Sequence, residues 1–422
     1  MTETIAAVIS NGVISGTKAN GVCRFSAIPY AAAPVGDLRF KPPLPARWQG
    51  KLDATQPAPV PPQLPSRLRD VMGDFDAAQS EDCLQLTVWT PGVDDKRRPV
   101  VVWLHGGAWQ SGGGAIDWYD GTQLAQRGDI VVVGVNYRLA ALGWLYLPGE
   151  GGNLGLLDQE AAIAWVADNI ASFGGDPAQI TVMGQSAGGS SIAAMLARQP
   201  HFHRAIMQSA SLGRGFRTIE QAARLSEPFL EAIGANNSDD ARKVSVEALL
   251  KAQQAPGVVA ALAAEGSGRS LFCPVMDGIT LPVNIAPAMD AATGKVDVLI
   301  GSTYNEMAAF PNMSTDEASQ VIGERIFGAP ARAWAEQAAT RGRSAWIYSF
   351  DLAPTQTFGA CHCIELPFVF GTLAAFEAAP MLKGLAPEHA RRLSDEMQRV
   401  WITFIRGDAL PWDSAPQIKH FS

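Results

Sequence analysis

The chain has 422 residues, 47% of them hydrophobic and 18% charged, and a formal net charge of −8. This composition is enough for a large core and excludes disorder, and the acidic balance argues against nucleic acid or an anionic membrane as main partner, since both require a basic patch. The densest basic run, Lys96-Arg97-Arg98, reads as a solvated turn.

The opening segment, Met1 to Asn20, has neither the basic start nor the apolar stretch of a secretory leader, and no apolar run approaches membrane-spanning length. Five cysteines at irregular positions make no disulfide framework. The expectation is a reducing, cytoplasmic setting, with Cys23 and Cys83 unpaired.

Ile5–Ile9 and Val22–Ile28 are short apolar runs broken by Asn-Gly at 11–12 and 20–21, the pattern of a β-ribbon. Residues 57–66 hold too many prolines for regular structure and form a surface loop. Val100–Leu104, Ile130–Val135, Ile180–Met183, Ala205–Met207, Val298–Ile300 and Trp346–Phe350 then recur as short apolar runs, as strands buried on both faces do. Helical patterns separate several of them, for example Ile163, Val166 and Ile170 at spacings of three and four. Strands alternating with helices predict an α/β fold with a mostly parallel central sheet over 1–422. Residues 213–295 and 307–343 interrupt the alternation and are expected to be helical insertions around the site entrance. The last element is an amphipathic helix over Pro387–Phe404, with Leu393, Met397, Val400 and Phe404 on one face.

The segment Gln179–Leu196 carries the chemistry. An apolar strand runs into Gly184-Gln185-Ser186-Ala187-Gly188 and a helix follows, which is the Gly-x-Ser-x-Gly turn of α/β-hydrolases in its strand–turn–helix context. So tight a turn tolerates no bulk two residues before or after the serine, and it lifts the Ser186 hydroxyl clear of the sheet. The first N–H of the helix, on Ala187, is then free to hold a developing oxyanion. Val100–Leu104 runs into His105-Gly106-Gly107-Ala108-Trp109, and this glycine pair predicts two further donors, Gly106 and Gly107. Gly112-Gly113-Gly114 lacks the Lys-Ser/Thr of a phosphate cradle.

These motifs resemble those of the type-B carboxylesterases, which include cholinesterases and bacterial para-nitrobenzyl esterases. The resemblance extends through Ala27–Pro43, Glu81–Pro91, Gly152–Gln159 and Asn169–Pro177 and covers most of the chain. It implies a Ser…Glu…His order. Glu306 in Gly301-Ser-Thr-Tyr-Asn-Glu306 is then the acid, and His362 in Gly359-Ala-Cys-His-Cys-Ile-Glu-Leu-Pro is the base. Of the other histidines, His105 supports the oxyanion loop, His201 and His203 are packing or turn residues, His389 sits on the last helix and His420 lies in the tail. Cys361-His362-Cys363 lacks the fourth ligand and the wider spacing of a zinc site, and this chemistry requires no metal or other cofactor.

Three departures from the family pattern carry expectations. Gln185 replaces a glutamate before the serine, which weakens attraction for cations. Met307 stands where glycine usually follows the acid. The segment from Glu306 to His362 is short for the family, which predicts a shallower, more open pocket. Trp109, Phe272, Phe310 and Phe358 are the candidate pocket walls and would favour small to medium apolar or aryl esters. The partner is a small-molecule ester, and activity should fall on acidification as His362 takes up a proton. The same triad also serves amidases, lactonases and thioesterases. A non-catalytic adhesion role, known in the wider family, conflicts with the presence of all three triad residues.

Overall fold

The computed structural model describes residues 3–266 and 269–422. Residues 1–2, within the opening segment, and 267–268, within the stretch 213–295, lie outside it. Twelve strands are found among the described residues: β1 (Glu3–Ile9), β2 (Gly12–Ala19), β3 (Val22–Pro29), β4 (Lys51–Asp53), β5 (Gln85–Thr90), β6 (Arg98–Leu104), β7 (Val131–Val135), β8 (Gly175–Gln185), β9 (Arg204–Gln208), β10 (Asp297–Thr303), β11 (Ala345–Phe350) and β12 (Ile418–Phe421). They form one sheet in the order β1-β2-β3-β5-β7-β6-β8-β9-β10-β11-β12, with β4 beside β2. From β7 to β12 every neighbouring pair is parallel. β1, β2, β3 and β5 add the antiparallel edge.

The apolar runs are buried on both faces because alternate side chains enter different cores. Val100, Val102 and Leu104 of β6 join Val131, Val133 and Val135 of β7 in one core. Val101 and Trp103 point the other way and meet Val132, Met183 and Leu299 in a second. Burial of each such side chain contributes about 1.5–3 kcal/mol. Helix Leu154–Asn169 covers the first face through Leu156, Ile163 and Val166. Helix Pro387–Arg406 covers the second through Leu393, Met397, Val400 and Phe404. This layered, mostly parallel sheet is the α/β-hydrolase fold expected from the motifs. No helix among the described residues is long and apolar enough to cross a membrane.

The two interruptions differ in character. Residues 307–343 are helical through Glu317–Gly323, one π-turn at Glu324–Gly328, and Ala329–Thr340. In the stretch 213–295, helices Ile219–Ile233, Val246–Ala252, Pro256–Ala264 and Ala286–Ala292 form, but 269–285 holds no helix, against the expectation. There side chains take the backbone donors a helix would use. Asp277 Oδ1 accepts from the N–H groups of Ile279, Thr280 and Leu281, and Asn153 Oδ1 accepts from Val275.

Candidate active site

β8 ends at Gln185, paired with Gln208 of β9, and helix Ala187–Leu196 starts two residues later. Ser186 between them has φ 54° and ψ −115°, a conformation that a residue with a Cβ adopts only under constraint. The constraint is visible on all sides. A Cβ on Gly184 would meet Gly188 backbone at 2.6 Å, and one on Gly188 would meet the Leu104 carbonyl oxygen at 2.0 Å. The Ser186 N–H donates to Gln208 O at 2.8 Å and pins the turn to β9. Ser186 stays partly exposed at the floor of a cleft of about 480 Å³ that also contains His362, Gly107, Ala108 and Phe310. The cleft opens past the exposed residues Arg67, Arg69, Asp70 and Gln254.

Glu306 follows β10 directly. Its Oε1 accepts from the Thr303 N–H at 3.0 Å, and its Oε2 accepts from His362 Nδ1. Both side chains are 2% exposed. The two segments are stitched together by Asn305 N–H to Ala360 O (2.8 Å) and Ala360 N–H to Asn305 Oδ1 (3.1 Å). Phe310 and Phe327 flank the imidazole, each with its ring centroid at 5.2 Å. Met307, next to Glu306, packs against Ile326 and Phe327.

The other ring nitrogen, His362 Nε2, receives the amide of Gln185 at 3.2 Å, and the same amide also reaches Cys363 Sγ. Ser186 forms no hydrogen bond to His362 among the described residues, so the two share a cleft with the amide of Gln185 on the imidazole. Such contacts are often open before substrate arrives. Glu365 lies buried behind them, and burial followed by the nearby Glu306 charge pushes its carboxyl up to about 8. Burial also raises the thiols of Cys361 and Cys363. All five cysteines are unpaired, and no group of three or more His, Cys, Asp or Glu among the described residues is arranged to hold a metal.

The loop after β6 folds back beside Ser186. Gly107 and Ala108 line the cleft, whereas Gly106 sits behind it, where a Cβ would meet Gln185 Oε1 at 2.4 Å and Ser186 Cβ at 3.3 Å. Neither Gly107 nor Ala108 donates its N–H to another group among the described residues. His105 holds the loop: its Nδ1 donates to Gly106 O at 2.8 Å, and its ring stacks on Tyr137 at 4.4 Å. Burial pushes this imidazole down to about 4, so it is neutral at physiological pH.

The predicted walls separate into two groups. Phe310 lines the cleft. Trp109 lines a smaller hollow beside Ser186, but its indole is tethered, with Nε1 donating to Ser191 Oγ at 3.0 Å. Phe272 is not at the site. Arg217 draws in the Ser270 and Leu271 carbonyls, and Phe272 turns edge-on to Phe229 at 6.1 Å, beneath helix Ile219–Ile233. Phe358 likewise packs on the second core and lines neither hollow at Ser186. Ala108 lies within the glycine-pair motif but is not singled out by it, whereas Phe327, Arg67, Arg214 and Arg269 have no sequence signal, because each reaches the site from a loop or insertion whose path depends on its packing.

The carboxylesterase family profile matches residues 3–321 and 310–411. A probable N-octanoylanthranilate hydrolase of Rhodococcus erythropolis is 41% identical, over 96% of this chain and 93% of that protein. The para-nitrobenzyl esterase of Bacillus subtilis is 38% identical, over 94% and 88% respectively. A solved para-nitrobenzyl esterase structure superposes with a TM-score of 0.87 at 34% identity, covering 99% of this chain and 95% of that one. With the layered, mostly parallel sheet agreeing with these matches, the chain belongs to the carboxylesterase family and is a carboxylic ester hydrolase.

Proposed function

We propose that the chain hydrolyses small to medium apolar or aryl esters by two-step acyl transfer through Ser186, His362 and Glu306. Ser186 Oγ attacks the ester carbonyl carbon while its proton passes to His362 Nε2. Glu306 fixes the tautomer with the proton on Nδ1 and stabilises the imidazolium. The carbonyl oxygen becomes an oxyanion held by the N–H groups of Gly107, Ala108 and Ala187. The C–O bond to the alcohol breaks, His362 returns the proton to the departing oxygen, and water then attacks the acyl-enzyme by the same route. For His362 to reach Ser186, the Gln185 amide must give up Nε2.

The observation that carries this reading is the buried Glu306–His362 pair opening onto the same cleft as a serine held at φ 54°. The test is turnover of para-nitrophenyl acetate, butyrate and octanoate by the wild type and by Ser186→Ala. Loss of nearly all activity in the variant is expected, and equal activity in both would refute the assignment. One relative is named for an N-octanoyl substrate, which favours amide hydrolysis as the second reading. An ester and its matched amide assayed side by side separate the two. The five unpaired cysteines support a reducing, cytoplasmic setting for this activity.

A further inference from the structure

Ser186 stands where two hollows meet. The larger cleft contains His362. The smaller, about 50 Å³, shares Arg67, Ala108, Ser186 and Phe310 with it but also has Ala187, Ser211 and Phe327 in its walls. Among the described residues four arginines line it, Arg67, Arg214, Arg217 and Arg269, and no carboxylate does. Arg217 is committed to the fold, donating to the Ser270 and Leu271 carbonyls and lying 3.6 Å from Glu265. The other three come from separate parts of the chain: the proline-rich loop, the turn after β9, and the irregular stretch 269–285. Arg67 is exposed, and Arg214 and Arg269 are half-buried. Neither Arg67 nor Arg269 has an ion-pair partner among the described residues. The Arg214 guanidinium lies 6.0 Å from the Phe327 ring centroid, beside the imidazole's aromatic flank. Burial, then the like charges of Arg67 and Arg269, press it down to about 10.

A chain with net charge −8 thus gathers positive side chains around one small hollow next to its nucleophile. Such a concentration of positive charge favours an anion as occupant, with the Glu306 carboxylate offsetting part of it at Arg214. Guanidinium forks match a carboxylate in shape as well as charge. The direction of the reaction decides which half of the ester carries that anion. His362 must protonate the leaving oxygen, so the alcohol half occupies the larger cleft on the His362 side. The acyl half extends the other way, past Ala187, into the arginine-lined hollow.

We propose that this hollow is an acyl site for a carboxylate-bearing acyl group, making monoesters of short dicarboxylic acids the preferred substrate class. The inference rests on the ester-hydrolase reading above. Arg214 and Arg269 are specificity-determining residues, with Arg67 closing the site from the rim.

The test compares monoethyl glutarate with its neutral isostere ethyl 5-methylhexanoate at low ionic strength. In the wild type the anion should have a kcat/KM about tenfold higher or more, mainly through KM, as charge-assisted hydrogen bonds at one end of the substrate imply. Added salt should shrink the gap. The anion-to-neutral ratio should fall at least about tenfold in Arg269→Gln and in Arg214→Gln, and Arg269→Lys should restore part of it. A wild-type ratio at or below one, or a ratio indifferent to both substitutions, overturns the proposal. So does an arginine-dependent preference for acetoxyacetate, whose anion lies on the alcohol half. Para-nitrophenyl acetate assayed in parallel reports on the hydrolase reading itself. Calorimetry of monoethyl glutarate with Ser186→Ala tests the hollow without chemistry: binding that Arg269→Gln abolishes supports the site, and absence of binding refutes it.

Discussion

Gly107→Ala is the sharpest test of the oxyanion loop. Gly107 has φ +101°, and a Cβ there would lie 1.9 Å from the Ser111 carbonyl oxygen and 2.7 Å from its carbon. That carbonyl cannot simply swing away, because the turn is closed by the Ser111 and Gln110 N–H groups, which donate to Gly107 O at 3.1 and 3.0 Å. The loop must therefore open by more than an ångström, which displaces the Gly107 and Ala108 N–H groups proposed to hold the oxyanion. Left-handed backbone alone costs a residue with a Cβ about 1–2 kcal/mol. Removing one oxyanion donor raises the barrier by roughly 3–4 kcal/mol, or about 10²–10³ in kcat. KM should change little, since the oxyanion exists only in the transition state. The assay is steady-state hydrolysis of para-nitrophenyl butyrate, with thermal melting to show that the variant is folded. A folded Gly107→Ala enzyme with kcat within about threefold of wild type would refute the role of this loop.

Glu306→Gln leaves the side chain's shape but removes the acceptor that fixes the His362 tautomer, so kcat should fall about 10⁴-fold while the fold persists; a loss below tenfold contradicts the triad. Glu365 keeps its proton in the folded state up to about pH 8, whereas its ordinary value is 4.5. The unfolded chain loses that proton first, so between these pH values the group makes wild-type stability fall as pH rises, by at most about 5 kcal/mol. Glu365→Gln should flatten this slope in denaturant titrations at pH 5 and pH 8, and parallel slopes for the two proteins would exclude the effect. Asp158 is fully buried with both oxygens on the Arg138 guanidinium, at 2.7 and 2.8 Å. Asp158→Asn strands that charge and should cost about 3–5 kcal/mol in urea unfolding. Phe272→Ala should lose about 3–5 kcal/mol of stability with substrate preference intact, because the ring packs on Phe229 and not at the site.

Much of the architecture is legible from the chain because the signals are local. A strand buried on both faces is mostly apolar along its length, and all six such runs are strands of the sheet. A nucleophile turn must have glycine where the backbones touch, so Gly184 and Gly188 mark Ser186 without any knowledge of the rest. β2 and β12 escape this reading because both have few apolar residues, β2 between β1 and β3 and β12 at the edge of the sheet.

The motifs that flank the site mark the family, but only the structure shows what several of them do. Arg39 of the first motif holds Glu81 of the second in a paired contact, with nitrogens and oxygens at 2.7 and 2.5 Å, and also donates to the carbonyls of Arg242 and Val244 in the long insertion. Asp158 of the third motif neutralises Arg138. Residue type and spacing determine the sheet and the serine turn, and the family resemblance points to the histidine loop. Tertiary structure alone decides that Ala108 lines the cleft where Gly106 does not, that Phe272 faces away, and that three arginines from distant segments converge on one hollow. A strand's pattern is dictated by its own burial, whereas the aim of a loop side chain depends on contacts far away in the sequence.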